Sequence, residues 1–233
     1  MLRYPILTYH QVQPLPEKAD VLRNLSIDPS GFRRQMMWLS RMGYAGVSVR
    51  ELMCYLRGEK CGKVIGLTFD DGFRNVLKNA MPILDEFGFT ATCYIVSGKI
   101  GGLNDWDLSL NTNLSQLMNE PEMRLWLDRG HEIGAHTVNH TALSKLTPDL
   151  AWQEISDSKR QLEKIIDKEV ESFCYPYGDF NKNIVELVSR AGFSNAATTM
   201  RRVARPCDAS LLLPRISVSG DYGIVRFLFR SFR

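Results

Sequence analysis

The stretch Val64-Ile65-Gly66-Leu67-Thr68-Phe69-Asp70-Asp71-Gly72 decides the reading of this chain. Its first six residues form a near-continuous apolar run, as strands buried on both faces do. The run then stops at two adjacent carboxylates and a glycine. In parallel α/β folds the carboxyl end of a strand is where ligands and chemistry sit. Capping a helix that begins near Phe73 accounts for one aspartate. It does not account for both, because adjacent like charges at the end of a buried strand are costly unless a cation or a proton holds them.

The same short apolar pattern recurs on either side, at Ile6–Tyr9, Gly46–Val49, Ala91–Val96, Glu132–Ala135, Ser172–Tyr175, Ser194–Thr198 and Arg215–Val218. Helical patterns lie between these runs, so the expected class is α/β, with repeated strand-helix units around a parallel sheet or barrel. Asp28-Pro29-Ser30 opens a helix that runs through Met42 to Gly43. A second helix spans about Phe73 to Phe87, and Pro82 inside it predicts a kink or a split. The longest starts at Thr147-Pro148, with Leu150, Ile155, Leu162, Ile165 and Ile166 assigned to its apolar face. Residues 97–115 carry no period and read as a long loop over the site, with the acidic, aromatic run Asn104-Asp105-Trp106-Asp107.

At 233 residues and 44% hydrophobic content the chain can bury a core as one domain over residues 1–233. Its 29 Lys plus Arg against 26 Asp plus Glu leave a net charge of only +3, which argues against a nucleic-acid partner and against disorder. The five cysteines are scattered, fit neither a disulfide framework nor a zinc ribbon, and read as reduced thiols. The first residues show no apolar signal region, and no segment reaches the roughly 18 apolar residues of a membrane span. The expected location is therefore cytoplasmic. In the tail 224–233, apolar residues alternate with Arg226, Arg230 and Arg233, a pattern open to peripheral membrane contact or to packing on the barrel.

Three of the four histidines fall within ten residues, His131, His136 and His140. His136 and His140 are four apart, a spacing that places two imidazoles on one side of a helical turn and lets them share a metal. His131-Glu132 is followed by His136 one position too late for H-E-x-x-H. Two imidazoles and one carboxylate make a three-ligand site with open positions, the stoichiometry of a catalytic metal. One aspartate would bind the ion, and the other would take a proton from water activated there. Phe173-Cys174-Tyr175-Pro176-Tyr177-Gly178-Asp179 is again a strand that ends in a turn, whose backbone N–H groups could meet a developing oxyanion.

Together these segments resemble the polysaccharide deacetylases of the NodB-homology type, carbohydrate esterase family four. Thr68-Phe69-Asp70-Asp71-Gly72 matches the first motif, His136-Thr137-Val138-Asn139-His140 the second and Tyr175-Pro176-Tyr177-Gly178 the third, within a core of about 64–199. The resemblance implies a distorted, incomplete (β/α) barrel of about seven strands. It implies Asp70 as general base and Asp71, His136 and His140 as ligands of one divalent metal, usually zinc, with cobalt, nickel or manganese as alternatives. It also implies that the Tyr177 backbone N–H, in the turn with Pro176, assists the oxyanion.

The chain departs from the family twice. Cys174 stands where an Arg commonly tethers the catalytic aspartate, and no histidine follows His140 to supply the last-motif acid. Arg215 is the candidate replacement for the lost Arg, beside Tyr177 and Pro176 on the substrate side. His10, ending the first strand as Tyr9-His10, is the candidate acid, an arrangement similar to poly-N-acetylglucosamine deacetylases. His131 would face the opposite end. Tyr175, Tyr177, Trp106 and Phe73 are candidates for a sugar-stacking surface. The leading expectation is removal of N-acetyl groups from a GlcNAc-containing glycan. The alternatives are a small amide, cyclic imide or O-acetyl ester on the same site, or a glycan-binding module that has lost turnover.

Overall fold

A computed structural model describes residues 3–110 and 112–232. Eight strands form one all-parallel, curled sheet. Its main path starts at β1 (Ile6–Tyr9), and the first excursion leaves the sheet as the short pair β2 (Gln11–Val12) and β3 (Ser26–Ile27) before α1 (Pro29–Arg41). Next come β4 (Ala45–Val47), α2 (Val49–Leu56) and β5 (Val64–Phe69), then α3 (Met81–Phe87) and β6 (Thr92–Ile95). After α4 (Glu120–Asp128) the chain alternates through β7 (Glu132–Ala135), α5 (Pro148–Ile166), β8 (Ser172–Cys174), α6 (Lys182–Arg190) and β9 (Asn195–Ala197). It finishes with β10 (Ile216–Ser217) and α7 (Ile224–Ser231).

The path runs β10-β1-β5-β6-β7-β8-β9, seven strands, with β4 pairing the first half of β5 as an eighth. Residues 213–218 span the gap between the two ends of this path. The Leu213 amide donates to the Ala196 carbonyl at 2.8 Å, and Ile216 pairs with Leu7 of β1. The result is the distorted, incomplete barrel, since so short a connection is all that joins β9 to β1. Every residue of β1, β5, β6, β7, β8 and β9 is buried, as in a parallel sheet covered on both faces.

The helices follow their caps. Asp28 accepts from the Ser30 amide ahead of Pro29, and Asn119 with Glu122 forms a reciprocal capping box on α4. The split expected at Pro82 is present: a five-residue π-type turn, Val76–Ala80, precedes α3, so the proline opens a new helix where its missing N–H costs nothing. Two expectations need correction, the place of Leu150 and the wholly irregular loop 97–115. Leu150 is 49% exposed, because the buried stripe of α5 is Ala151, Ile155, Ser158, Leu162 and Ile166. The loop 97–115 contains two 3-10 turns, Ser97–Lys99 and Asp105–Leu110. The pair β2 and β3 gave no sequence signal because two residues are too few to show a period. The tail packs on the body of the molecule: Phe227 is buried and Phe232 meets Tyr44 at 4.8 Å between ring centroids. Among the described residues no helix is long and apolar enough to cross a membrane.

Candidate active site

Parallel strands deliver the chemically active residues to one rim. His10 follows β1, Asp70 and Asp71 follow β5, His136 and His140 follow β7, Cys174 ends β8 and leads into Tyr175 and Tyr177, and Arg215 precedes β10. All of them except Cys174 line a cleft of about 270 Å³ that is walled by Trp106, Asp107 and Leu110 from the irregular loop and by Leu22 and Leu25 from the segment after β2. His131 sits at the start of β7 on the opposite rim, stacked at 4.0 Å on Trp126, where burial pushes its pKa down to about 4.

Asp71, His136 and His140 converge. The Asp71 Oδ1 atom lies 3.4 Å from His136 Nε2 and 3.3 Å from His140 Nε2, and all three groups are buried. Edges of about 3.3–3.4 Å are those of a tetrahedron with legs near 2.0–2.1 Å, the length of zinc–nitrogen and zinc–oxygen bonds. The other nitrogens are spoken for. His136 Nδ1 donates to the Cys174 carbonyl at 2.7 Å, and His140 Nδ1 lies 3.1 Å from the Tyr177 hydroxyl. With Nδ1 as donor, His136 Nε2 is left facing a carboxylate oxygen and needs positive charge between them. Burial opposes a charged His136, but Cys174 and the Asp71 and Asp70 carboxylates lift its imidazole well above the ordinary range. Burial likewise opposes a charged Asp71, yet the His136 and His140 imidazoles hold its carboxyl well below the usual range. The donor set therefore fits a divalent cation. A second grouping, Asp70, His136 and Cys174, also brings its ligand atoms within 4.8 Å of one another. It is already served by a cation of the protein itself, Arg215.

Arg215 is 2% exposed and meets Asp70 end-on, Nη1 to Oδ1 at 2.7 Å and Nη2 to Oδ2 at 2.8 Å. Nη1 also donates to Thr68 Oγ1, Nε to the Thr198 carbonyl and Nη2 to the Cys174 sulfur at 3.1 Å. All five guanidinium hydrogens thus have protein acceptors. Arg215 accordingly holds Asp70 and has no donor left for a substrate, which corrects its expected place on the substrate side. Burial disfavours charge on Asp70, but the guanidinium outweighs it and keeps the carboxyl below its ordinary value. The small Cys174 leaves the room that Arg215 fills from another strand. His10 Nε2 stands 4.0 Å from Asp70 Oδ2 on the cleft side.

Backbone strain concentrates here. Of five non-glycine residues with positive φ among the described residues, four are Asp71, Thr137, His140 and Tyr177. Such conformations cost of order 1–3 kcal/mol each and persist where the surroundings over-determine them. The two histidines therefore do not lie on a helical turn as their spacing implied. They flank an irregular turn in which Thr137 (φ 65°) and His140 (φ 56°) reverse the chain. The Thr137 hydroxyl accepts from the His140 amide, and Glu154 of α5 accepts from the amides of Val138 and Asn139. In the third segment Pro176 is buried as the base of the turn, while Tyr177 (φ 60°) projects into the cleft mouth, 60% exposed. Gly178 is obligatory: with φ at +68°, an added Cβ would lie 1.9 Å from Thr199 Oγ1.

Of the proposed stacking surface, Tyr177 and Trp106 flank His140, each at 4.6 Å between ring centroids. Tyr175 lines the cleft with its ring almost wholly buried, and Phe73 belongs to the core. Sequence reasoning missed Asp107 as a site residue. Buried Asn104 donates to its Oδ2 at 2.8 Å and accepts from the Ser115 amide, so the loop holds a carboxylate in the cleft wall. Burial raises its pKa. The available signal was the acidic, aromatic run itself, in a segment without a period.

A profile described as polysaccharide deacetylase matches residues 57–196, more than half of the chain. The chain belongs to the polysaccharide deacetylase family. Among curated relatives of this deacetylase, a poly-β-1,6-N-acetyl-D-glucosamine N-deacetylase of Staphylococcus epidermidis is 26% identical over 228 residues, covering 92% of this chain and 78% of that one. The protein of the same name from Staphylococcus aureus is 25% identical over 204 residues, 86% of this chain and 70% of that one. Among solved structures, the Streptococcus pyogenes deacetylase PplD in complex with acetate superposes with a TM-score of 0.86 at 25% identity, covering 100% of this chain and 99% of that one. IcaB from Ammonifex degensii shares the fold, with a TM-score of 0.83 at 22% identity over 99% of this chain and 97% of that one.

Proposed function

We propose that this family member is a metal-dependent N-deacetylase that hydrolyses the acetamide of GlcNAc residues in a polysaccharide or oligosaccharide, releasing acetate and leaving a free amine. The observation that carries the reading is the pair of adjacent aspartates with separate partners: Asp71 faces two imidazoles while Asp70 is gripped by Arg215. Asp71, His136 and His140 would hold the cation, with zinc favoured by two nitrogens and one oxygen, and the bound cation would supply Lewis acidity at water and at the acetamide oxygen.

Asp70, kept ionised by Arg215, accepts the proton of the attacking water as its oxygen adds to the carbonyl carbon. The Tyr177 backbone N–H, displayed by the strained turn over Pro176, meets the oxygen on which negative charge develops. His10 donates a proton to the nitrogen as the C–N bond breaks, so that an amine departs in place of an amide anion. Trp106 and Tyr177 present apolar ring surface to a sugar. The relatives named for poly-GlcNAc deacetylation support a GlcNAc polymer as substrate. The contacts of Asp70 with Arg215, and with His10 at 4.0 Å, give it partners despite the two motif departures, which supports the catalytic reading over the non-catalytic one.

The deciding measurement is acetate release from β-1,6-linked and β-1,4-linked GlcNAc oligosaccharides by the purified protein, before and after chelation and with zinc restored. Release that chelator stops and zinc restores is expected for the wild type and not for Asp70→Asn. Equal rates for the two proteins would overturn the assignment, and acetate released from O-acetyl esters alone would move it to the second substrate class.

A further inference from the structure

Next to the catalytic cleft lies a second cavity of about 290 Å³, between β10 and α7, that the reaction above does not use. Ser217 lines both cavities, so they share a wall two residues beyond Arg215. Arg201, Arg202 and Arg230 line it with Tyr222 and Phe229, and among the described residues no acidic side chain does. Arg202 is neutralised from behind by a two-pronged contact to Asp208 at 2.7 and 2.8 Å. Arg201 has no hydrogen-bond or ion-pair partner among the described residues. Arg230 donates to the Tyr222 hydroxyl at 2.9 Å and lies over that ring at 5.1 Å, and Arg226, one turn earlier on α7, lies over the same ring at 4.6 Å. Asp221, the neighbouring carboxylate, is paired with Arg23.

Like charges one helical turn apart repel, and bringing Arg226 and Arg230 to one ring beside Arg201 increases the cost. An anion bound in the cavity would relieve it. Guanidinium groups around an aromatic wall are suited to a phosphate or carboxylate carried on a sugar, with bidentate donors for the oxyanion and ring surface for the pyranose. A concave site that shares a wall with the reaction cleft fits a neighbouring part of the same substrate better than a flat lipid surface.

We propose that this cavity is a subsite for an anionic substituent, phosphate or carboxylate, on a sugar near the one being deacetylated. The proposal rests on the glycan-deacetylase reading and narrows it to glycans that carry negative charge.

The test compares GlcNAc oligosaccharides of equal length, neutral or bearing one phosphate or one uronic acid, as substrates for wild type, Arg201→Gln, Arg230→Gln and the double variant. For wild type we expect kcat/KM at least tenfold higher on the anionic substrate, expressed in KM and weakened by salt. That preference should collapse towards one in the double variant and survive in Lys182→Gln, which removes a surface cation paired with Glu186. Equal kcat/KM on the two substrates, or a preference that outlasts both substitutions, overturns the subsite while leaving the deacetylase reading intact. If no oligosaccharide releases acetate, the deacetylase reading fails, and calorimetry with the phosphorylated oligosaccharide decides the subsite alone: binding lost in the double variant sustains it, and absence of binding to wild type removes it. Arginine-dependent sedimentation with anionic lipid vesicles, without discrimination between glycans, would assign these residues to a membrane surface and overturn the proposal.

Discussion

Arg215 and Asp70, separated by 145 residues of chain, meet as a buried two-pronged ion pair at 2.7 and 2.8 Å. The guanidinium arrives from the strand that nearly closes the barrel, and Cys174 on β8 leaves space for it. Removing one member of such a pair strands the other as an uncompensated buried charge, a loss of about 3–5 kcal/mol. Arg215→Ala should therefore lower thermal stability markedly and reduce turnover, and its Asp70 carboxyl should titrate at higher pH. The sign follows from linkage. The folded Asp70 is held below its ordinary value, so the stability it contributes is present above the unfolded pKa and is lost as pH falls through the folded one. The acidic limb of kcat/KM should accordingly move to higher pH in Arg215→Ala and less so in Arg215→Lys. An unmoved limb would show that Arg215 does not set the charge of Asp70.

Asp70→Asn should lose about 10²–10⁴-fold in kcat, the usual contribution of a positioned base. Zinc content, measured by elemental analysis, should remain at one ion per chain, because Asp71, His136 and His140 are untouched. Asp71→Asn should do the opposite and lose the metal first. If both substitutions released zinc equally, the two carboxylates would not have separate roles.

Much of this division of labour could be read from the chain. The run from Val64 to Gly72 gave the strand, the switch to loop and the paired carboxylates, because buried parallel strands are short, apolar and sharply bounded. His136 and His140 were legible as a pair, but their local geometry was not. Four-residue spacing fits a helical turn as well as it fits the strained turn observed, and Glu154, sixteen and fifteen residues from the amides of Val138 and Asn139 that it holds, leaves no local trace. Arg215 could be nominated as a partner for Asp70, whereas the saturation of its five donors depends on Thr68, Cys174 and the Thr198 carbonyl, each from a different strand end. Asp107 stayed hidden for a similar reason: its position is set by buried Asn104 inside a loop that has no period.

If His10 protonates the departing nitrogen, its removal should matter in proportion to how poor the leaving group is. His10→Ala is expected to lose about 10²–10⁴-fold on GlcNAc oligosaccharides and far less on 4-nitrophenyl acetate, whose phenolate departs without protonation. Measuring both substrates in parallel separates an acid from a residue that merely shapes the cleft. Equal losses on the two would place His10 in the second category and leave the leaving group to another donor.

The Tyr177 hydroxyl lies 3.1 Å from His140 Nδ1, on the side of the ring away from Asp71. A group in that place fixes the tautomer and orientation of a metal-binding imidazole, and its loss typically costs 10–100-fold in metal affinity. Tyr177→Phe retains the ring against His140 and the backbone N–H, so the oxyanion contact and the stacking surface survive while the hydroxyl contact is lost. The variant should therefore release zinc to a competing chelator at about 10–100-fold lower chelator concentration, and at saturating zinc its kcat should return close to wild type. A kcat that stays low in excess zinc would mean that the hydroxyl acts on the substrate; unchanged zinc affinity would mean that His140 is held in place by Thr137 and the turn alone.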